Sequence, residues 1–194
     1  ISNKLIIGAQ DCHQEEKGAF TGDISATMLR SVGAKVIIVG HSERRLECYE
    51  TSHIVERKAA ASIRAGLSVI ICVGETEEQK IKGETEKVVC SQLECSMPSG
   101  SNDLNTIIAY EPVWAIGTGK VPTLKDIAHV HKSIRDLLKQ EKGIDISQKM
   151  RVLYGGSVKP DNAKEIFSLD DVDGALVGGA SLNAYDFINI ANQE

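Results

Sequence analysis

Six short, continuous apolar runs constrain the fold of this chain more than any other feature of its sequence. They are rich in valine and isoleucine and alternate with longer amphipathic stretches, a rhythm that is typical of βαβ units in a parallel sheet. They lack a strict alternation of apolar and polar residues, as expected for strands that are covered on both faces. The predicted strands are Leu5–Gly8, Lys35–Gly40, Leu67–Gly74, Asn105–Glu111, Met150–Gly155 and Gly174–Gly178.

The stretches between these runs predict helices. In the longest one, apolar residues recur at helical spacing from the region of Pro122, a residue favoured in the first helical turn, to Gly143, which ends the helix. The stretch Glu75–Cys95 predicts a short acidic helix and a second helix, separated by Gly83. Two more helices are predicted over about Ser52–Ala65 and Pro160–Phe167.

The length and charge of the chain argue against several classes of function. A chain of 194 residues can bury one sizeable core, and we expect residues 1–194 to form a single domain. The net charge is -5 and the longest basic block is the pair Arg44-Arg45, which argues against a nucleic-acid-binding surface. The apolar runs are too short to cross a bilayer, and no secretory signal is visible. Five cysteines without a C-x-x-C pair indicate free thiols, no metal site and a cytoplasmic location.

Six βα units fit either an open doubly wound sheet or part of a (β/α)₈ barrel. A barrel typically needs about 250 residues, so the chain would hold only about six of its eight units. The last two predicted strands each end in a glycine pair, Gly155-Gly156 and Gly178-Gly179. In barrels the loops after strands 7 and 8 are the usual phosphate site. If these are strands 7 and 8, the chain comprises strands 3 to 8 of a barrel.

A carboxylate at a strand end is the strongest candidate for chemistry. Glu111 ends a predicted strand, at the edge where parallel α/β folds bind ligands. Pro112 fixes the exit of the chain, and Gly117 and Gly119 can bring backbone N–H groups close to an anion. The pattern therefore predicts a general base beside a hinged loop. An exposed glutamate on a surface turn would give the same local sequence.

A histidine follows another predicted strand. His41 is placed at the same edge, where a neutral imidazole can polarise a carbonyl and move a proton between oxygens. Alternatively, His41 is a helix cap, and Glu43, Arg44 and Arg45 form a surface ion-pair set. Both interpretations are compatible with the sequence.

Other candidate residues are assigned to packing or to the surface. Cys72 ends a strand but has no neighbouring cation in the sequence to activate its thiol, which indicates packing. Trp114, the only tryptophan, either anchors the loop or fills the core. Four histidines fall away from strand ends and are interpreted as structural or exposed: His13, His53, His129 and His131.

Taken together, these segments resemble the triosephosphate isomerase family. They occur in the family's order and extend over nearly all of the chain. The matching segments are Gly8–Gln10, Lys17–Gly22, Gly40–Arg45, Cys72–Glu75, Ala109–Lys120, Tyr154–Ser157 and Val177–Ala180.

The resemblance implies an isomerase of glycolysis and gluconeogenesis that needs no cofactor and no metal. It would interconvert dihydroxyacetone phosphate and glyceraldehyde 3-phosphate through an enediolate. Glu111 would be the base, neutral His41 would polarise the carbonyl oxygens, and Ser42 and Glu43 would be supporting residues. In the family, the residue equivalent to Glu43 contacts the catalytic lysine. Backbone N–H groups of Gly117, Ser157, Gly178 and Gly179 would hold the substrate phosphate.

The resemblance also implies a homodimer. The chain differs from the family in one important respect. In the family, the loop that matches Lys17–Gly22 places the residue equivalent to Thr21 beside the partner's active site. The family's asparagine and catalytic lysine, at the end of its first strand, have no counterpart here, and we expect residues 1–194 alone to be a poor or inactive enzyme. Asp11, where asparagine is usual, and Asp23, where glutamate is common, are smaller departures. Another phosphosugar-binding barrel and a non-catalytic barrel fragment remain as alternatives.

Overall fold

Five parallel strands form one sheet within the described part of the chain. The computed structural model describes residues 5–118 and 120–193. The strands follow one another in the sheet in the same order as in the sequence. They are β1 (Gly8–Ala9), β2 (Val36–Val39), β3 (Ser68–Val73), β4 (Thr106–Tyr110) and β5 (Val152–Tyr154).

The sixth predicted strand is present only as an irregular segment. Ala175 forms an isolated parallel bridge with Tyr154. The Tyr154 N–H donates to the carbonyl of Gly174 over 3.0 Å, and the Leu176 N–H donates to the carbonyl of Tyr154 over 2.9 Å. The segment 174–178 thus lies beside β5 in the sixth position. Since it is bonded to a neighbour on one side only, it does not form the regular strand that the sequence predicts.

At the other end of the sheet, the predicted strand Leu5–Gly8 is also shortened. Only its last residue, Gly8, belongs to β1. The three apolar residues before it are 54–73% exposed: Leu5, Ile6 and Ile7. Each end of the sheet therefore has a hydrogen-bonded neighbour on one side only within the described residues.

Helices lie between the strands and after the last one. They are α1 (Ala26–Ser31), α2 (Ser42–Glu47), α3 (Ser52–Arg64), α4 (Glu77–Ile81), α5 (Thr85–Ser96), α6 (Leu124–Lys142), α7 (Ile144–Ser147), α8 (Pro160–Phe167) and α9 (Ala184–Ala191). Helices α3 to α6 and α8 lie at the predicted places, α2 corresponds to the interpretation of His41 as a cap, and α1, α7 and α9 have no predicted counterpart. None of the helices in the described residues has both the length and the apolar character that a membrane span requires.

Local sequence explains where α6 begins and ends. Thr123 accepts a hydrogen bond from the Asp126 N–H, while the Asp126 carboxylate accepts one from the Thr123 N–H. This reciprocal cap satisfies two backbone donors that a helix start leaves free. Gly143 ends the helix with a φ of 83°, a conformation that glycine adopts without steric cost.

The core lies between the central strands and the helices that cover them. Helix α5 packs against α3 and α6 on the outside of the sheet. The fully buried residues of these elements include Ile37, Val39, Val69, Ile71, Ile108, Val55, Val89, Leu93, Ile127, Ile134 and Leu138. Burial of each large aliphatic side chain contributes roughly 1.5–3 kcal/mol. This packing fixes β2, β3 and β4, and with them the carboxyl ends from which the candidate site is built.

Candidate active site

The predicted catalytic and phosphate-binding residues line one cavity of about 590 Å³ at the carboxyl ends of the strands. His41 comes from the end of β2, Glu111 from the end of β4, and Ser157 from the turn after β5. Gly117, Gly178 and Gly179 complete the set. The structure therefore brings these six residues together, although they are up to 138 positions apart in the sequence (179 − 41).

Glu111 lies inside the protein. It is 2% exposed, and its N–H donates to the carbonyl of Val73 over 2.8 Å. Its Oε1 is 2.8 Å from Nε2 of His41, and its Oε2 accepts a hydrogen bond from the Ser42 N–H over 3.0 Å. The alternative of an exposed glutamate on a surface turn is therefore wrong. A carboxylate held in this way by two neighbours has a defined direction.

His41 combines the two interpretations that the sequence leaves open. It is the N-terminal cap of α2, and its Nδ1 accepts a hydrogen bond from the Glu43 N–H over 3.4 Å. Because Nδ1 is the acceptor, the ring proton lies on Nε2, which donates to Glu111. The hydrogen bond to Glu111 raises the pKa of His41, while burial opposes this effect. Like burial, the positive end of the helix dipole at the start of α2 favours the neutral ring.

The predicted surface ion-pair set is only partly at the surface. Glu43 is exposed, with its carboxylate 3.9 Å from Nδ1 of His41. Arg45 instead reaches inward, where its Nε donates to the carbonyl of Gly40 over 2.8 Å and a terminal nitrogen donates to the carbonyl of Cys72 over 2.9 Å. Arg45 thus ties the end of β2 to the end of β3. No local pattern in the sequence distinguishes it from an exposed arginine.

Arg44 belongs to a separate ionic cluster that includes Asp11, Glu50 and Lys58. Lys58 lies 2.7 Å from Asp11 and 2.6 Å from Glu50. Arg44 lies 2.8 Å from Asp11 and 2.6 Å from Glu50. Burial raises the pKa of Asp11, although Lys58 opposes the shift. The departure from the family at Asp11 therefore adds a carboxylate between two cations, a role that the sequence reasoning missed.

Cys72 lies at the carboxyl end of β3 and is fully buried. Burial raises the pKa of its thiol well above the ordinary value, and the neighbouring Glu111 adds to the shift. A thiol in this state is unreactive, which agrees with the predicted packing role.

The two glycine pairs differ in what surrounds them. A Cβ on Gly156 would lie 2.2 Å from the hydroxyl oxygen of Tyr154, and one on Gly155 would lie 2.9 Å from Cγ of Glu111. At Gly178 and Gly179, by contrast, no described atom lies within 4 Å of an added Cβ. Close packing therefore explains the first pair, and the second faces the open cavity.

Trp114 anchors the loop after Glu111, as one of the two interpretations predicts. Its Nε1 donates to Glu75 over 2.7 Å, and Lys80 lies 3.9 Å from the centre of its ring. Tyr110 also donates to the fully buried Glu75 carboxylate, and burial raises the pKa of the tyrosine. The loop itself is exposed at Gly117 and Thr118. Gly119 lies outside the described residues.

Two further findings concern residues around the cavity. Thr21 is exposed and is not among the residues that line the cavity. Lys159, which the sequence reasoning did not consider, is the one lysine or arginine among the described lining residues. No group of three or more histidine, cysteine, aspartate or glutamate residues in the described ranges could hold a metal ion.

Comparison with known proteins adds independent observations. The triosephosphate isomerase family model matches residues 1–194. The triosephosphate isomerase of Rhodopseudomonas palustris (strain BisA53) is 55% identical over 190 residues, which cover 98% of this chain and 75% of the relative. The Bradyrhizobium diazoefficiens enzyme of the same name is 52% identical over 188 residues, covering 97% of this chain and 74% of the relative.

A solved structure agrees with these relatives. The crystal structure of triosephosphate isomerase from Bartonella henselae superposes with a TM-score of 0.92 at 47% identity, and the match covers 97% of this chain and 77% of that one. The parallel sheet with its connecting helices is therefore part of a (β/α)₈ barrel. With a family match along its whole length and relatives at more than half identity, the chain belongs to the triosephosphate isomerase family.

Proposed function

We propose that this chain interconverts dihydroxyacetone phosphate and glyceraldehyde 3-phosphate, with Glu111 as the base and His41 as the group that polarises the carbonyl. The observation that carries the proposal is the buried Glu111 carboxylate, 2.8 Å from Nε2 of His41 in the lining of the large cavity. A base and a hydrogen-bond donor next to each other are what an enediolate mechanism requires.

The proton transfer follows from this geometry. Glu111 takes the proton from the carbon next to the substrate carbonyl, the carbonyl π electrons move to oxygen, and an enediolate forms. Glu111 then returns the proton to the neighbouring carbon, so that the aldehyde and ketone exchange places without net oxidation. Before that return, Nε2 of His41 gives its proton to the former carbonyl oxygen and takes the proton of the neighbouring hydroxyl, so that the new C=O bond can form there. Nδ1 is not used in this exchange because it is occupied as an acceptor.

Substrate binding would replace contacts that the site residues make with one another. Glu111 is bonded both to His41 and to the Ser42 N–H. When a substrate oxygen takes the Nε2–H of His41, Glu111 loses one of its two partners and is free to move toward the substrate carbon. Ser42 is therefore proposed to hold the carboxylate between turnovers, and Glu43 supports His41 through its backbone N–H.

Phosphate binding is proposed to rest on backbone donors at Gly117, Ser157, Gly178 and Gly179. The open space around Gly178 and Gly179 supports this role, because an anion can approach their N–H groups. Lys159 adds positive charge to the same lining. Closure of the loop 115–120 over the bound phosphate would exclude water from the intermediate, a behaviour for which this family is known.

A homodimer is also proposed, with Thr21 inserted beside the partner's active site. The surface on and around the segment 13–24 supports it, since large apolar side chains are exposed there. They are Phe20, Ile24, Met28 and Val32, which are 41–81% exposed. The five free cysteines support a reducing compartment, which is the basis for proposing a cytoplasmic location.

An anion-soaked crystal and an activity assay test the proposal together. We expect phosphate to lie beside Ser157, Gly178 and Gly179, and the full-length protein to isomerise triose phosphates in preference to other phosphosugars. Anion density on Arg44 and Arg45 with empty glycine turns would contradict the phosphate site. A preference for another phosphosugar, or no turnover with an intact fold, would support one of the two alternative interpretations instead.

A further inference from the structure

The amide of Gln92 makes two hydrogen bonds to a single residue at the end of β3. Gln92 lies on α5, and its Oε1 accepts a hydrogen bond from the Gly74 N–H over 2.9 Å. Its Nε2 donates to the carbonyl of Gly74 over 3.0 Å. Only one orientation of the amide satisfies both bonds, so the side chain is fixed and in turn fixes the backbone of Gly74.

Gly74 lies directly against the backbone of the proposed base. A Cβ on Gly74 would lie 1.7 Å from the carbonyl oxygen of Glu111, so no side chain fits between the two residues. The flanking residues pair with the same stretch of chain. The Glu111 N–H donates to Val73 over 2.8 Å, and the Val113 N–H donates to Glu75 over 3.1 Å. The position of Gly74 therefore sets the position of the Glu111 peptide.

Hydrogen bonding rather than packing holds Gln92 in place. A small cavity of about 60 Å³ is lined by Gln92, Gly74 and Glu111 among other residues, so the packing around these three residues is incomplete. The fully buried residues Val89 and Leu93 supply the core contacts of α5, while Gln92 is only half-buried. Loss of the Gln92 amide would thus free the end of β3 without emptying the core.

We propose that Gln92 is a positioning residue for the isomerase reaction, acting through Gly74 on the Glu111 backbone. The inference rests on the proposed role of Glu111 as the base. A neutral amide suits the position, because it offers a donor and an acceptor at once and adds no charge near the buried carboxylate. Glutamate would have no donor for the Gly74 carbonyl, and asparagine is shorter by one methylene group.

The test compares Gln92→Met with Leu93→Ala in the full-length protein. Methionine keeps the length of the side chain but removes both hydrogen bonds. Since a misplacement of about 1 Å can cost about 10²-fold in rate, we expect a partial displacement to lower kcat by about tenfold. KM should change by less than about twofold, because the phosphate-binding turns lie on other strands. Leu93→Ala should lower Tm without lowering kcat per folded molecule.

Gln92→Glu supplies a readout that a merely structural residue would not move. It keeps the shape and the acceptor but brings a negative charge toward Glu111. We expect the acid limb of the pH profile of kcat/KM to move to higher pH. This variant also serves if Gln92→Met fails to fold. An unchanged kcat and an unchanged acid limb in the folded variants would overturn the inference.

Glu111→Gln separates this inference from the proposed function. Full activity in Glu111→Gln would overturn the role of Glu111 and, with it, the role of Gln92. Loss of activity in Glu111→Gln together with wild-type kcat in Gln92→Met would overturn the Gln92 inference alone.

Discussion

The centre and the ends of the sheet are built differently. β4 is paired on both sides, and Glu111 at its end is 2% exposed. The first described residues and the segment 174–178 each have a bonded neighbour on one side, and Leu5 is 67% exposed. The proposed base and its histidine therefore depend on the most enclosed part of the molecule. Two of the four proposed phosphate-binding residues, Gly178 and Gly179, instead follow the irregular segment at one end of the sheet.

Because of this difference, the proposed catalytic residues and two of the phosphate-binding residues depend on different parts of the sheet. Contacts among β2, β3 and β4 fix the direction of the Glu111 carboxylate within this chain. Gly178 and Gly179 are exposed, and an added Cβ at either residue would meet no described atom within 4 Å. We therefore expect changes at the centre to act on kcat or on folding, and changes at the edges to act on binding and assembly.

The largest effect is expected from completing the edges. The match leaves a quarter of the Rhodopseudomonas palustris relative uncovered, and the family resemblance implies that this part precedes residue 1 and carries the first strands and the catalytic lysine. Adding this part in front of residue 1 would then restore a preorganised donor, whose loss commonly costs about 10² to 10³ in rate. We expect activity per folded molecule to rise by at least about 10²-fold over residues 1–194 alone, with better solubility. Equal activity of the two proteins would show that the edges do not matter.

A shorter carboxylate at the centre should be nearly as damaging. Glu111→Asp withdraws the base by about one methylene group, and a misplacement of about 1 Å can cost about 10²-fold in kcat. KM should change little, because the phosphate contacts remain. Glu47→Asp, on the exposed end of α2, is the matched control and should keep wild-type steady-state kinetics. Wild-type turnover in Glu111→Asp would refute the assignment.

Much of this architecture could be predicted from the sequence because its signals are local. Helical spacing and capping residues give α6, and an acidic residue directly after an apolar run gives the place of Glu111. Strand ends of a parallel sheet share one edge, which brings His41 and Glu111 together in principle. The regular strand predicted at 174–178 is wrong in detail, because a strand depends on its neighbours as well as on its own residues.

The rest could not be predicted because it depends on pairs that are distant in the sequence. Gln92 bonds to Gly74, Arg45 to Cys72 and Lys58 to Asp11, and the separations are 18, 27 and 47 residues. No periodicity or motif identifies such partners. The contacts of Arg45 and Lys58 join different βα units, whereas the contact of Gln92 joins the end of β3 to the second helix that follows it.

A histidine buried in the core, His131, predicts that the protein loses stability in acid. His131 on α6 is fully buried, and burial lowers its pKa to about 4. The folded state therefore favours the neutral ring. The contribution of His131 to the free energy of unfolding is complete above pH 6.5, the ordinary pKa of the ring, and is lost as the pH falls toward about 4. The expected slope is about 1.4 kcal/mol per pH unit. The groups facing His131 are Tyr110, Tyr154, Arg135, Asp171 and Asp173.

Denaturant unfolding between pH 7 and pH 4 measures this slope. His131→Gln should be less stable at pH 7 but should show a flatter pH dependence. His53→Gln, on α3, is the control and should keep the wild-type slope. The same slope in wild type and in His131→Gln would assign the acid sensitivity to other groups.

The smallest effect concerns the two glycine pairs. Gly156→Ala forces a Cβ against the hydroxyl of Tyr154 and should destabilise the fold by roughly 1–3 kcal/mol. Gly179→Ala adds a methyl group in open space, so stability should change by less than about 0.5 kcal/mol while KM for the phosphorylated substrate rises. Thermal unfolding and KM measured on both proteins check the contrast. Equal destabilisation by the two substitutions would contradict the division between centre and edge.

Isomerisation in heavy water tests most directly whether a base at the centre of the sheet carries the proton. Dihydroxyacetone phosphate is converted by the full-length protein in D₂O, and deuterium at C2 of the glyceraldehyde 3-phosphate formed is measured by NMR. A carboxyl group exchanges its proton with solvent, so we predict deuterium at C2 with the wild-type protein and a rate at least about 10²-fold lower with Glu111→Gln. Wild-type rate and wild-type deuterium incorporation by Glu111→Gln would contradict the role of Glu111.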